Sequence, residues 1–379
     1  MKILRIAFEN IGVFSNGVSI DFVANDRVVN TGQVKNLFGT ISSQNIVGIV
    51  GPNASGKTTL LRLIRAAISI VVENRGLNDI KFSEGIIKED SVMTVDFFNE
   101  NKLFRVCSTI GVKSEIYKDS VYYFKQEVIY SKSKTKVKAR ANLFDFSDDN
   151  IISTRAEFMN EFNFLKPQDS IVAAYNKNSL YSVGTIDSTN LNIYYDRGKE
   201  FMPFVNLFDN SIESIETQGD ETRIKFKNKE DVIVAKSFIE AQNYISSGTI
   251  KGVELLGFLV HIMKTGGYLV IDEIENHLHK KLVQTIIGIF DDPTINKKGA
   301  TLLFSTHYSE IMDCLERKDN IYVLVRNNSH ESRAVRYSDV VSRNDIKKSE
   351  VLLSNYIEGT APSYESVRFI KELLCKLQN

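Results

Sequence analysis

The sequence has no tryptophan and only three cysteines among its 379 residues. Cys107, Cys314 and Cys375 are scattered, odd in number, and form neither a CxxC pair nor a Cys/His spacing of the kind that holds zinc. A disulfide-stapled secreted domain is therefore excluded, and a reducing, cytoplasmic compartment is expected. An excess of one charge is missing too, because 47 Lys and Arg balance 47 Asp and Glu. Contact with nucleic acid or an anionic membrane would need a local patch rather than a global field. No apolar run approaches the ~20 residues of a membrane span. Met1-Lys2-Ile3-Leu4-Arg5 leads into a strand pattern instead of a signal peptide. No repeat of roughly 20–50 residues and no sustained heptad pattern is present, which argues against solenoids and long coiled-coil arms. With 43% apolar and 25% charged residues, the balance is that of a globular chain able to bury a sizeable core.

Alternation over Ile3–Ile11 and again over Val18–Phe22, on either side of Asn16-Gly17, predicts an opening hairpin. Ile46–Val50 is short and apolar throughout, as in a strand buried on both faces, and helical composition over Leu60–Ile68 follows a glycine-rich turn. Within 91–130, Val92–Phe98 and Leu103–Val106 flank the turn Asn99–Lys102, so an antiparallel β-subdomain is expected. From about 150 to 245 the pattern is mixed. Helices are expected at Arg155–Phe164 and around 199–209, and a hairpin pairs Ile224–Phe226 with Val232–Val234. Beyond it, a helix at Val253–Met263 precedes the strand Tyr268–Ile271, and a helix over 278–290 precedes the strand Thr301–Phe304. Strands alternating with helices imply a mostly parallel sheet. Helices at Ser349–Tyr356 and Val367–Leu377 close the chain.

Gly51-Pro52-Asn53-Ala54-Ser55-Gly56-Lys57-Thr58-Thr59 satisfies G-x-x-x-x-G-K-[ST], with the required buried strand before it and helix after it. The residue types follow from the chemistry of binding phosphate. Glycines let backbone N–H groups close around a β-phosphate, Lys57 reaches the β- and γ-oxygens, and the Thr58 hydroxyl ligates Mg²⁺. The helix N-terminus adds partial positive charge. ATP with Mg²⁺ is the expected ligand. Asp272 and Glu273 end an apolar strand, where the first acid suits Mg²⁺ and the second can orient an attacking water. His307 ends the next strand and would sit at the same sheet edge, placed to sense a γ-phosphate. His277 and His279 are spaced i, i+2 without a third ligand, and read as polar contact residues rather than metal ligands.

In this order the motifs resemble the ABC-type ATPase head of SMC, Rad50 and RecF proteins and of the OLD family of phage-defence ATPases. Ile6-Ala7-Phe8-Glu9-Asn10-Ile11-Gly12-Val13-Phe14 is similar to that branch's first strand, and Gly51–Thr59 to its Walker A loop. Ile245-Ser246-Ser247-Gly248-Thr249 resembles its signature loop, although Ser246-Ser247-Gly248 alone is as consistent with a plain helix N-cap. Tyr268–Glu273 resembles Walker B, Asn276-His277-Leu278-His279 the D-loop, and Ser305-Thr306-His307 the switch histidine. Ile274 and Lys280 stand where the family often has proline, and Gln126 is only a weak candidate for the Q-loop glutamine. The resemblance implies a P-loop α/β fold with an antiparallel β-subdomain and a partly helical insertion. It also implies ATP held between the Walker A loop of one subunit and the signature loop of another, and hence a homodimer or larger even assembly.

Four segments are expected: an ATPase lobe over 1–150, a mixed insertion over 151–244, a second ATPase lobe over 245–340 and a helical end over 341–379. The part beyond His307 is too short for the nuclease domain of OLD-type proteins, so a separate effector such as a nuclease or toxin is expected to act beside this chain. Lys132, Lys134, Lys136, Lys138 and Arg140 recur at every second residue, which on a strand aligns five cations on one face. Such a face could track DNA phosphates or an effector's acidic surface, or serve only as a solvated edge. The functional expectations are a defence ATPase, a RecF-like repair clamp and, lowest, a transporter ATPase subunit.

Overall fold

In a computed structural model of the chain, all residues are described except 15, 29–31, 81, 83–84, 114–119, 157–164, 176–182, 187–201, 220, 277, 328–330, 344, 362–363 and 378–379. The centre is a six-stranded sheet in the order β10 (Val183–Ile186), β14 (Tyr268–Ile271), β15 (Thr301–Thr306), β5 (Ile46–Val50), β16 (Ile321–Arg326) and β17 (Ser332–Arg336). Its first five strands run parallel, and β17 turns back antiparallel on β16. Both faces of this sheet are covered, so its central strands are rich in apolar residues, and alternate side chains enter two different cores. Val47, Ile49, Val270 and Leu303 point into one, whereas Ile46, Val50, Leu269, Ile271, Leu302 and Phe304 point into the other.

The first core is shared with helix α1 (Lys57–Glu73) and with a second, antiparallel sheet. That sheet runs β2 (Val18–Asp21), β1 (Lys2–Ile11), β6 (Ile87–Asn99), β7 (Lys102–Lys113), β8 (Val121–Ser133) and β9 (Ile151–Ala156). Helix α1 lies between the two sheets and buries Leu60, Leu61, Leu63, Ile64, Ala67, Ile68, Val71 and Val72. Each fully buried Leu or Ile contributes about 1.5–3 kcal/mol, so packing rather than capping holds this helix. On the opposite face of the central sheet, α4 (Ser247–Thr265), α5 (Lys280–Asp291) and α7 (Lys348–Leu353) close the second core. A third core joins β11 (Ile212–Gln218), β12 (Glu221–Phe226), β13 (Val232–Ala235), α2 (Met202–Phe208) and α3 (Phe238–Ala241) to the first turns of α4. The short ladder of β3 (Val34–Phe38) with β4 (Ile41–Gln44), and the helices α6 (Tyr337–Val340) and α8 (Tyr364–Leu377), complete the elements.

Two expectations change. Arg155 is not helical but lies in β9, where it pairs with Glu127 of β8. Both side chains are buried, with Arg155 Nη1 3.4 Å from Glu127 Oε2. Glu127 also accepts from Ser108 and Ser170 hydroxyls and from the Ile171 N–H. A buried carboxylate with this set of donors fixes the strand register whatever the local helix propensity. Ala156 lies in β9 as well, and residues 157–164 of that expected helix, with 199–201 of the next one, lie outside the described residues.

The aligned face of Lys132, Lys134, Lys136, Lys138 and Arg140 does not form. Strand β8 ends at Ser133, whose hydroxyl accepts the Thr135 N–H and starts a 3₁₀ turn over Lys134–Lys136. Lys132 is buried and donates to the carbonyls of Asn142 and Asp145, while Arg140 donates to the carbonyl of Ala24. These cations hold a chain reversal in place instead of presenting one charged face.

Candidate nucleotide site

Strand register brings the motif residues to one edge of the central sheet. Ile271 stands beside Phe304, and Thr306 stands beside Val50. The residues following these three strands, Asp272-Glu273, His307 and Gly51, therefore leave the sheet together, with the histidine strand in the middle. Gly51 passes so close to β16 that a Cβ there would lie 2.3 Å from the Leu324 carbonyl oxygen. Ala54 (φ 60°) and Gly56 (φ 95°) are left-handed on either side of Ser55. Alternation of this kind turns successive N–H groups toward one point, as an anion requires.

Phosphate chemistry fits what this loop leaves open. Helix α1 has no side-chain cap and no acidic residue in its first turn. Its first N–H groups are thus available to a ligand at the positive end of the dipole. Ser55 is buried with its hydroxyl unpartnered. A buried hydroxyl without a partner is costly unless a ligand completes it. Mg²⁺ is usually held by one or two side-chain oxygens together with substrate phosphates, and Thr58 and Asp272 are the residues here that would hold it.

Lys57 spends its three donors inside the site. Its ammonium donates to the carbonyls of Gly51 (2.7 Å) and Pro52 (2.8 Å), and stands 3.2 Å from His307 Nδ1. Burial pushes its pKa down to about 8, against the opposing pull of Asp272, Glu273 and Glu275. Ammonium has no acceptor, so Nδ1 of His307 accepts and the ring proton sits on Nε2. Nε2 then donates to Glu273 Oε1 at 3.1 Å. A single hydrogen-bonded chain, Lys57 to His307 to Glu273, results.

The two acids part company immediately after β14. Asp272 is buried and accepts the Ser305 hydroxyl at 2.5 Å, and the same oxygen of Ser305 accepts the Glu273 N–H at 2.8 Å. Glu273 then adopts φ 51°, so a left-handed backbone turn, and not strand alternation, separates the carboxylates. Sequence reasoning passed over two further charges. Glu275 accepts the His307 backbone N–H at 2.7 Å. Lys251, buried on α4, lines a cleft with Asp272, Glu273 and Asn276; burial lowers its pKa, and Glu254 and Glu273 oppose the shift. The signal for both was spacing: Glu275 lies two residues past Glu273, and Lys251 lies one turn inside the helix that begins at Ser247.

The expected signature residues sit at the start of α4. Ser246 is its N-cap; its hydroxyl accepts the Thr249 N–H at 3.1 Å and lies 2.7 Å from Thr249 Oγ1. Ser247 and Gly248 form its first turn and are half-buried. Gln126, on β8, lies within the antiparallel sheet rather than at the central sheet's edge. His279 caps α5 by accepting the Lys281 N–H, and His277 lies outside the described residues.

Residues 46–313, which run from β5 past His307, match the family model described as AAA domain, putative AbiEii toxin, Type IV TA system. The chain belongs to this family. The AbiEii-type AAA domain accounts for the P-loop ATPase fold, and ATP with Mg²⁺ is the general ligand of that class. Among solved structures, the chain is similar to the SMC head domain from Thermotoga maritima, at 14% identity and TM-score 0.41, covering 89% of this chain and 99% of that one. It is also similar to cbiO1 from Clostridium perfringens, described as part of the ABC transporter complex cbiONQ. There the identity is 10% and the TM-score 0.33, covering 98% of this chain and 100% of that one. No curated protein matches the sequence. Among the described residues, no helix is long and apolar enough to cross a membrane.

Proposed function

We propose that this AAA protein hydrolyses ATP with Mg²⁺ and closes head to head on a second copy of itself, acting in the cytoplasm as sensor or scaffold for a separate effector in bacterial anti-phage defence. The observation that carries the ATPase reading is the hydrogen-bonded chain from Lys57 through His307 to Glu273, beside buried Asp272. Lys57 would exchange the carbonyls of Gly51 and Pro52 for phosphate oxygens. Bound Mg²⁺ would supply charge neutralisation between the phosphates. Glu273 would orient water, and His307 would report on the γ-phosphate. Ser246, Ser247 and Gly248 open a separate helix, which would meet the γ-phosphate of the partner copy. ADP lacks that group and would release the interface. The family's description as a putative AbiEii toxin of a type IV TA system supports the defence setting. The alternative of a DNA-repair clamp loses the basic strand face that favoured it.

The decisive variant is Glu273→Gln given ATP and Mg²⁺. The proposal expects a stable closed dimer, seen by light scattering as a doubled mass that persists, while wild type returns to its starting mass as ATP is consumed. A variant that turns over normally and never changes mass sinks the reading.

A further inference from the structure

Strand β15 leaves its ladder at Thr306, the last residue paired with Val50, so the N–H of His307 has run past the sheet. It is taken up by a side chain: Glu275 Oε1 accepts it at 2.7 Å. The segment that carries Glu275 is itself tightly wound. Asn276 N–H donates to the Glu273 carbonyl at 2.8 Å, and Leu278 N–H to the Glu275 carbonyl at 3.2 Å. Glu275 therefore ties the backbone of the histidine to the turn that follows the two strand-end acids. Its other oxygen, Oε2, is buried without a partner. An unpaired buried carboxylate oxygen costs stability, a cost that Glu275 bears at this turn.

From these contacts we infer that Glu275 is a positioning residue for ATP hydrolysis: by holding the His307 main chain, it sets the imidazole between Lys57 and Glu273. This rests on the ATPase reading above. The acceptor oxygen matters rather than the charge, because the contact is a hydrogen bond to a backbone N–H.

The test compares Glu275→Ala with Glu275→Gln in steady-state ATP hydrolysis and in ¹⁵N NMR of the histidine ring. Glu275→Ala is expected to lower kcat at least tenfold with KM changed less than threefold, and Glu275→Gln, which keeps an acceptor oxygen, to stay within threefold of wild type. Unchanged kcat in Glu275→Ala, a KM that rises in step with the loss, or a Glu275→Gln variant as slow as Glu275→Ala would each overturn the inference. A wild-type chain without turnover would instead defeat the ATPase reading, and the ring spectrum then decides alone. Wild type and Glu275→Gln should show His307 as one neutral tautomer protonated at Nε2, and Glu275→Ala a mixture. The same single tautomer in Glu275→Ala would refute the positioning role.

Discussion

Two helix N-termini in this molecule look alike on paper and differ in the structure. Helix α1 begins at Gly56 with no side-chain cap and no acid in its first turn, next to the unpartnered hydroxyl of buried Ser55. Helix α4 begins at Ser246, whose hydroxyl already holds the Thr249 N–H. Every helix leaves its first N–H groups without intrahelical partners. At α4 the chain supplies one partner itself, while at α1 it supplies a left-handed glycine, a buried cation and open donors. The open start of α1 leaves its donors to a ligand, whereas at α4 Ser246 already satisfies one of the first N–H groups. The phosphate loop is therefore ready for an anion within a single chain. At the Ser246-Ser247-Gly248 turn the Ser246 oxygen accepts the Thr249 N–H, a bond that leaves its O–H able to donate to a phosphate from elsewhere.

The contrast can be sharpened first through pH. Burial lowers Lys57 to about 8, and a bound phosphate favours its charged form. Below that pH the ammonium is already present and affinity for ATP is flat. Above it, binding must take up a proton, so affinity falls by up to about tenfold per pH unit. Titration calorimetry between pH 7 and roughly 9.5, in buffers of different ionisation heat, would show both the slope and the proton uptake. The second prediction concerns the closed terminus. Ser246→Ala should cost about 1 kcal/mol of stability, the usual loss of an N-cap, read as a lower denaturant midpoint at unchanged m-value. No loss would mean that the Ser246 hydroxyl is not acting as a cap.

Much of the site was legible because its chemistry restricts residue type and order. A buried strand, a glycine-lysine loop and two strands ending in Asp272-Glu273 and His307 require few alternatives, and the register of β14, β15 and β5 places their ends together. The hairpin of β1 with β2 and that of β6 with β7 were legible from alternation on either side of a short turn. What escaped depends on partners distant in sequence. Arg155 sits in a helix-like stretch, but Glu127 draws it into β9. The alternating cations after Ser131 have a strand's period, yet carbonyls of Asn142 and Asp145 engage Lys132 and turn the chain. Glu275 resembles one more acid in a solvated turn until the His307 N–H is found against it. Ile321–Val325 is as apolar as β5 and adds a parallel strand that no motif calls for.

The central claim is that the open start of α1, with Lys57 at its first position, receives the phosphates of ATP. Its most direct test is calorimetric titration of ATP with Mg²⁺ into wild type and Lys57→Ala at pH 7. Removing a buried charge partner from a phosphate costs about 3–5 kcal/mol, so binding is predicted for wild type, with Kd raised at least 100-fold in the variant. Equal affinities in the two proteins, with both folded, would contradict the account.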